Sequence, residues 1–138
     1  KVFAPSEKSQ FLAQSFDALV LNANGGSLDS DSVTRIIANQ SIRVICGCEN
    51  LVMPNAADSE RLRAARKLYC PTELCGMMGY LTAVEEYLAK RQKTNFQMKD
   101  ILTAAQKLDD ACARAARRAL GAEVGPSFEA AMKLEFTA

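Results

Sequence analysis

The sequence of 138 residues contains no histidine. Histidine is the commonest general base in enzymes, a frequent metal ligand and a common axial ligand of haem iron. The sequence also lacks a glycine-rich phosphate loop and a pair of carboxylates in a recognisable catalytic pattern. We therefore expect a protein that is not an enzyme and that holds neither a cofactor nor a metal ion.

Long apolar runs are also missing. No stretch approaches the roughly 18 residues of a membrane span, and no signal peptide opens the chain, so we expect no membrane partner. The hydrophobic fraction of 49% and the charged fraction of 24% are ordinary for a globular protein, and we expect one domain over residues 1–138. Because the net charge is only +1, any anion-binding surface must be a local cluster.

The chain has five cysteines, at Cys46, Cys48, Cys70, Cys75 and Cys112. Their spacings, in "CGC" and "CPTELC", differ from the paired C-x-x-C pattern of zinc ribbons. Without a histidine to activate it, a reactive thiol at Cys46 or Cys70 is disfavoured. We expect buried free thiols in a reducing compartment.

Four amphipathic stretches have helical spacing of their apolar residues, at about residues 6–24, 27–52, 71–95 and 95–120. A short basic helix is predicted at residues 59–68. The β-branched residues of the second stretch also allow a strand, but their spacing fits a helical stripe better. The resulting prediction is an all-α antiparallel four-helix bundle, with a short extra helix or an irregular segment between helices 2 and 3.

The fourth stretch carries charged residues on the side opposite its apolar stripe. Lys107, Asp110, Arg114 and Arg117 share that side, with Asp109 and Ala113 on one shoulder. One interpretation is a solvated helix surface, with an Asp110–Arg114 pair that contributes about 0.3–0.5 kcal/mol. The other is a nucleic-acid-binding strip, in which arginines neutralise phosphates and small alanines admit flat bases.

A second basic cluster closes the third stretch, where Lys90, Arg91 and Lys93 lie close together in "AKRQK". Cations at this position stabilise the carboxyl end of a helix through its dipole. The same group could also bind phosphate, and the sequence leaves both interpretations open.

Two passages, "MKDILTAAQKLDDACARAARRAL" and "SFEAAMKLEF", carry a resemblance to a known family. Each is similar to a passage in the coat proteins of rod-shaped plant RNA viruses, the tobacco-mosaic-virus-like group. The resemblance implies a structural capsid protein, a four-helix bundle that assembles into helical rods around single-stranded RNA without reading its sequence. Its partners would be the genomic RNA and further copies of itself, in the virion and in the host cytoplasm during assembly.

The resemblance also implies which residues contact RNA. These are Arg35, Lys90, Arg91, Lys93, Lys107, Asp109, Asp110, Ala113, Arg114 and Arg117. Two other classes of protein remain as alternatives. One is a non-enzymatic helical-bundle adaptor, whose arginines are only solvated. The other, less favoured, is a light-harvesting subunit that carries a bilin pigment on a cysteine.

Overall fold

The computed structural model describes residues 1–121 and 125–137. At its centre lies a three-stranded parallel sheet of β1 (Ala18–Val20), β2 (Val44–Cys46) and β3 (Leu68–Tyr69). The spatial order is β1-β2-β3, so strands that are consecutive in the chain are neighbours in the sheet. Leu19 pairs with Ile45, which in turn pairs with Tyr69.

Within the described residues, seven α-helices surround or extend from the sheet, preceded by a 3-10 turn at Pro5–Glu7. They are α1 (Lys8–Leu12), α2 (Ser30–Ala38), α3 (Asp58–Ala64), α4 (Thr72–Cys75), α5 (Met77–Gln92), α6 (Met98–Gly121) and α7 (Phe128–Phe136). Helix α2 connects β1 to β2, and α3 connects β2 to β3. The order is therefore β-α-β-α-β, the arrangement that parallel strands require. In the described ranges, no helix has both the length and the apolar character needed to cross a membrane.

Apolar side chains cover both faces of the sheet. The first core packs α1, α2 and α3 against one face and contains Leu12, Leu19, Leu28, Val33, Ile36, Ile42, Ile45, Val52 and Leu62. The second core packs α6 and α7 against the other face and contains Leu68, Ala111, Ala115, Phe128, Ala131 and Met132. In β2 and β3, successive residues alternate between the two cores, as the pleat of a strand requires, whereas Ala18 and Val20 of β1 are exposed.

Helix α2 is fixed at both ends by side-chain hydrogen bonds. At its start, the Asp29 carboxylate accepts from the Ser32 backbone N–H over 2.8 Å, which satisfies one of the free donors of the first turn. At its end, the Asn39 side-chain amide donates to the carbonyl oxygens of Leu12 and Gln14, each at 2.8 Å. These two bonds hold the end of α1 beside the end of α2 and set the approach to β1.

Most of the described chain is helical, as the sequence predicts, but the parallel sheet departs from the all-α expectation. The first predicted helix, at residues 6–24, ends in the structure at Leu12, and β1 occupies Ala18–Val20. The second predicted helix ends at Ala38 and gives way to β2. In both places, backbone hydrogen bonds between strands replace the helical ones, and the β-branched residues lie on a pleated, half-buried surface.

The other helix predictions agree better with the structure. The short extra helix between the second and third stretches exists as α3, the third stretch forms α4 and α5, and the fourth forms α6. Ile101 and Ala115, on the predicted apolar face of α6, are buried. A four-helix bundle is not confirmed, because α6 and α7 pack on a face of the sheet.

The buried Asp58 side chain makes the stability of this fold depend on pH. Its side chain is fully buried and accepts from Ser30 Oγ over 2.6 Å and from the Arg61 guanidinium over 2.7 Å. These hydrogen bonds lower the pKa of Asp58 below the ordinary aspartate value of 3.8. The folded state therefore favours the carboxylate. Its stabilising effect is present above the unfolded pKa and is lost as pH falls through the folded pKa.

We expect Asp58→Asn to lower stability near neutral pH and to make stability fall less steeply with acid. The measurement is the urea midpoint at several pH values from about 6 down to 2. Asp31→Asn is the control, because Asp31 forms an exposed pair with Arg35 on the surface of α2 and such pairs contribute little. Equal acid slopes for wild type and Asp58→Asn would contradict the assignment.

Candidate ligand site

Three connecting segments follow the three strands, at residues 21–29, 47–53 and 70–76. We call them the carboxyl-edge loops, and the third includes the single turn of α4. Because the strands are parallel, their carboxyl ends meet at one edge of the sheet. In open α/β sheets, ligands bind in the crevice outside the carboxyl ends of the strands. The carboxyl-edge loops are therefore the place where this fold would hold a ligand.

Hydrogen bonds fasten the first of these loops to the second. From the second loop, the Cys48 N–H donates to Asn22 Oδ1 over 2.8 Å, and the Glu49 N–H donates to the Leu21 carbonyl over 3.1 Å. From the first loop, the Gly26 N–H donates to the Leu51 carbonyl over 3.0 Å, and the Leu28 N–H donates to the Val52 carbonyl over 2.8 Å. One of these acceptors is a side chain, so Asn22 positions the backbone of the neighbouring loop. The two loops consequently form a single ordered surface.

Gly47 makes this close approach sterically feasible. Its φ of +135° lies in a region that residues with a side chain rarely adopt. A Cβ atom at this position would lie 2.0 Å from the Leu21 carbonyl oxygen. Glycine is therefore required where β2 passes into its loop, directly beside the end of β1.

Glu49 connects all three loops. Its side chain is 1% exposed, and Oε1 accepts from the Ser27 backbone N–H over 2.9 Å. Its backbone carbonyl accepts from Thr72 Oγ1 over 2.6 Å. Among the residues described, Glu49 Oε2 is the one buried side-chain oxygen or nitrogen without a hydrogen-bond partner. A buried carboxyl oxygen without a partner is costly, unless a water molecule or a ligand group supplies the hydrogen bond.

The charge of the carboxyl-edge loops restricts their ligand. None of their residues is Lys or Arg, whereas Asp29, Glu49 and Glu73 are acidic. Asn22, Asn24 and Asn50 are exposed and carry amide groups that both donate and accept. The loops themselves contribute no cationic side chain, and the one ammonium group paired with them among the described residues is Lys8 Nζ of α1, 3.1 Å from Asp29 Oδ2. Their own residues therefore suit an uncharged or cationic group rich in hydrogen-bonding atoms.

The predicted RNA-binding residues of the fourth stretch all lie on α6. Their side chains are exposed, at Lys107, Asp109, Asp110, Ala113, Arg114 and Arg117. Arg114 Nε donates to Glu135 Oε2 of α7 over 2.6 Å, and Arg118 binds the other oxygen of the same carboxylate over 2.8 Å. These pairs lower the pKa of Glu135. Arg114 thus pairs with α7, and not with Asp110 as one interpretation of the sequence expected.

The remaining predicted RNA-binding residues lie elsewhere. Lys90, Arg91 and Lys93 are exposed at the carboxyl end of α5. At 1.5 Å per residue, Lys107 is about 14 Å along α6 from the Met98 that begins it. Arg35 lies on α2, across the sheet from α6, and pairs with Asp31 over 2.8 Å. The structure therefore does not bring the ten residues together on one surface.

The cysteines are free, as expected, but they are not buried. Cys48 is exposed, and the other four are partly exposed. Three acidic side chains outside α6 are engaged in ion pairs or buried. Asp29 pairs with Lys8, Asp31 pairs with Arg35, and Glu49 is buried.

Sequence reasoning missed Asn22, Glu49 and Thr72. A signal for them exists in three short passages, "LVLNANGG", "VICGCEN" and "LYCPTE", at residues 19–26, 44–50 and 68–73. Each begins with a brief apolar run and continues into Gly, Asn or Pro, which is the pattern of a buried parallel strand followed by a turn. The regular recurrence of this pattern, with a helical stretch between copies, indicates β-α-β units.

Comparison with known proteins adds no relationship. No protein-family model matches the chain, and no curated protein is significantly similar to it.

Proposed function

We propose that the protein is a dinucleotide-binding unit and that its carboxyl-edge loops take the nucleoside part of an NAD-type cofactor. The observation that carries the proposal is the convergence of three parallel strand ends on one polar edge, whose loops contain no Lys or Arg of their own. Crevices at such edges bind nucleotides in doubly wound α/β folds.

The topology supports this ligand class. Doubly wound dinucleotide-binding folds consist of two β-α-β-α-β halves, each of which takes one mononucleotide. The order β1-α2-β2-α3-β3, with helices packed on both faces of the sheet, corresponds to one such half. Thus the chain supplies one mononucleotide-binding half, and the opposite half would come from further strands beside the sheet.

The sequence of the first turn indicates which half this is. The half that binds the pyrophosphate carries a G-x-G-x-x-G turn after its first strand. The turn after β1 reads "LNANGGSLD", which lacks that pattern and contains no Lys or Arg. We therefore assign the chain to the other half, which faces the second nucleoside.

The charge of the loops favours the nicotinamide nucleoside in particular. The oxidised nicotinamide ring is cationic, and loops that contain three acidic residues and no Lys or Arg of their own are electrostatically compatible with it. The ring carboxamide and the ribose hydroxyl groups supply donors and acceptors that match those of Asn22 and Asn50. Nicotinamide dinucleotides carry out hydride transfer, so the protein would act as the cofactor-binding unit of an oxidoreductase.

The test is saturation-transfer NMR with NAD⁺, nicotinamide mononucleotide and AMP as separate probes. We expect NAD⁺ and nicotinamide mononucleotide to receive magnetisation at the nicotinamide ring protons, and AMP to give a weaker signal. Asn22→Ala should reduce the nicotinamide signal. Thr103→Val is the matched control, because Thr103 is exposed on α6 and hydrogen-bonds only within its own helix. Equal signals from all three probes, or from none, would overturn the proposal.

The coat-protein function stays a prediction, together with the four-helix bundle that it implies. The observation that favours RNA binding is the cluster of exposed cations at the end of α5, where Lys90, Arg91 and Lys93 form no ion pair within the described residues. Negative-stain microscopy at mildly acidic pH, with and without single-stranded RNA, tests it. Rods or stacked discs would support it, whereas dispersed particles in both samples would count against it.

A further inference from the structure

Two cysteines are adjacent at the carboxyl edge of the sheet. The sulfur atoms of Cys70 and Cys75 lie 3.1 Å apart, and both side chains are partly exposed. Cys70 directly follows β3, and Cys75 is the last residue of α4. Four residues separate them, so the single turn of α4 folds the second sulfur back onto the first.

The backbone fixes both ends of this turn. The Cys70 N–H donates to the Ile45 carbonyl over 2.8 Å, which extends the pairing of β2 and β3 by one bond. The Cys75 N–H donates to the Pro71 carbonyl over 3.1 Å, which closes α4. The folded backbone therefore holds the two cysteines beside each other, which is the condition for contact between their sulfur atoms.

The surroundings of the pair favour a thiolate on Cys75. The contact with the Cys70 thiol and a hydrogen bond from the Gly47 backbone N–H lower the pKa of Cys75 to about 6. The same contact and partial burial raise the pKa of Cys70. Thiolates are the reactive form of cysteine, and here the neighbouring thiol and a backbone N–H provide the activation for which histidine is the usual source.

We propose that Cys70 and Cys75 form a reversible thiol–disulfide exchange site, which reacts with small disulfides such as oxidised glutathione. Cys75 is the attacking residue and Cys70 the resolving residue. This assignment does not depend on the proposed cofactor-binding function.

The exchange proceeds in two balanced steps. The Cys75 thiolate attacks one sulfur of the small disulfide, forms a mixed disulfide and releases one small thiolate. Cys70 then loses its proton, attacks Cys75 Sγ and displaces the second small thiolate. In total, the two protein thiols are oxidised by two electrons, the small disulfide is reduced to two thiols, and these take up the two protons.

Formation of the bond needs little movement. A disulfide has a sulfur–sulfur distance of about 2.05 Å, so the two sulfur atoms must approach each other by about 1 Å. The other partly exposed thiols are less suited to the attack, because burial raises the pKa of both Cys46 and Cys112. Cys48 is more exposed than any other cysteine and therefore provides the comparison for simple accessibility.

The experiment is titration of the folded protein with oxidised glutathione at pH 7, followed by alkylation, trypsin digestion and mass spectrometry. Cys70 and Cys75 lie together on the tryptic peptide 68–90, whereas Cys46 and Cys48 lie on 44–61 and Cys112 on 108–114. We expect peptide 68–90 to lose two hydrogen atoms and to resist alkylation, while the other peptides remain alkylated. Reducing agent should restore alkylation.

Three variants separate the roles of the cysteines. We expect Cys70→Ser to accumulate a glutathione adduct on Cys75, Cys75→Ser to react at least tenfold more slowly, and Cys48→Ser to behave as the wild type. Because each serine variant could fold less well, alkylation rates of individual wild-type peptides provide a second measurement, with Cys75 expected to react faster than Cys48. A disulfide that joins different tryptic peptides, or wild-type oxidation confined to Cys48, would overturn the proposal. Because none of these measurements uses a nucleotide, their outcome is independent of the proposed cofactor-binding function.

Discussion

Gly47→Ala is expected to destabilise the protein by about 3 kcal/mol or more, since two costs add at this position. A side chain at a φ of +135° is strained, which costs about 1–3 kcal/mol. The new methyl group would also lie 2.0 Å from the Leu21 carbonyl oxygen, and insertion into so tight a contact typically costs a further 1–3 kcal/mol. The measurement is the free energy of unfolding by urea, monitored by circular dichroism.

The matched control is Gly79→Ala, at an exposed position on α5 where an added Cβ would meet no atom within 4 Å. Alanine is a better helix former than glycine, so we expect this change to stabilise the protein by about 0.5–1 kcal/mol. Opposite effects of the same substitution would establish that Gly47 is required by a close approach of the two loops. A Gly47→Ala variant as stable as wild type would contradict that packing.

Ile45→Ala is expected to cost about 2–5 kcal/mol, the usual range for removal of a large buried aliphatic side chain. Ile45 is fully buried on the central strand, between Leu19 of β1 and Tyr69 of β3. Its loss would leave a cavity where α2 and α3 cover the sheet. Thermal and urea unfolding both measure this effect.

Val20→Ala provides the comparison for Ile45→Ala. Val20 is also β-branched and lies on a strand, but it is 60% exposed at the edge of the sheet. Both substitutions remove a β-branched side chain, and only one of them empties a core site. We expect the Val20 change to stay within about 0.5 kcal/mol of wild type. Similar losses at both positions would mean that Ile45 is not at the centre of the core.

The helices were the predictable part of this fold. The apolar stripe of helix α6 runs from Ile101 to Ala119, about five turns, so that its spacing alone identifies the helix and its buried face. Ala111 and Ala115 are buried on that face, while Asp109 and Arg117 point away from it. In a long helix, the spacing of many apolar residues predicts the buried face even where single residues depart from the pattern.

The strands were not predicted because each contains only two or three residues. Such a short apolar run fits a helical stripe as readily as a strand, and Leu19 and Ile45 were both assigned to helices on that ground. What distinguishes the two structures is the pairing between distant segments, in which Leu19 lies beside Ile45 and Ile45 beside Tyr69. The spacing of apolar residues within one segment does not show which distant segment it pairs with.

The candidate site was missed for the same reason. Asn22, Glu49 and Thr72 are far apart in sequence, and each is unremarkable among its neighbours. They meet only because three parallel strands end at one edge, where Thr72 donates to the Glu49 carbonyl and Asn22 accepts from the Cys48 N–H. The clusters of charge that sequence reasoning selected are conspicuous in the chain, and the structure distributes them over separate helices.

The most direct test of the central claim is a ¹⁵N-labelled spectrum of the protein recorded during titration with NAD⁺. We predict that backbone amide shifts change mainly in the carboxyl-edge loops, at residues 21–29, 47–53 and 70–76, and that the amides of α5 and α6 stay close to their starting positions. No change at saturating NAD⁺, or changes confined to the cationic surface of α5 and α6, would contradict the assignment of a cofactor site to the carboxyl edge.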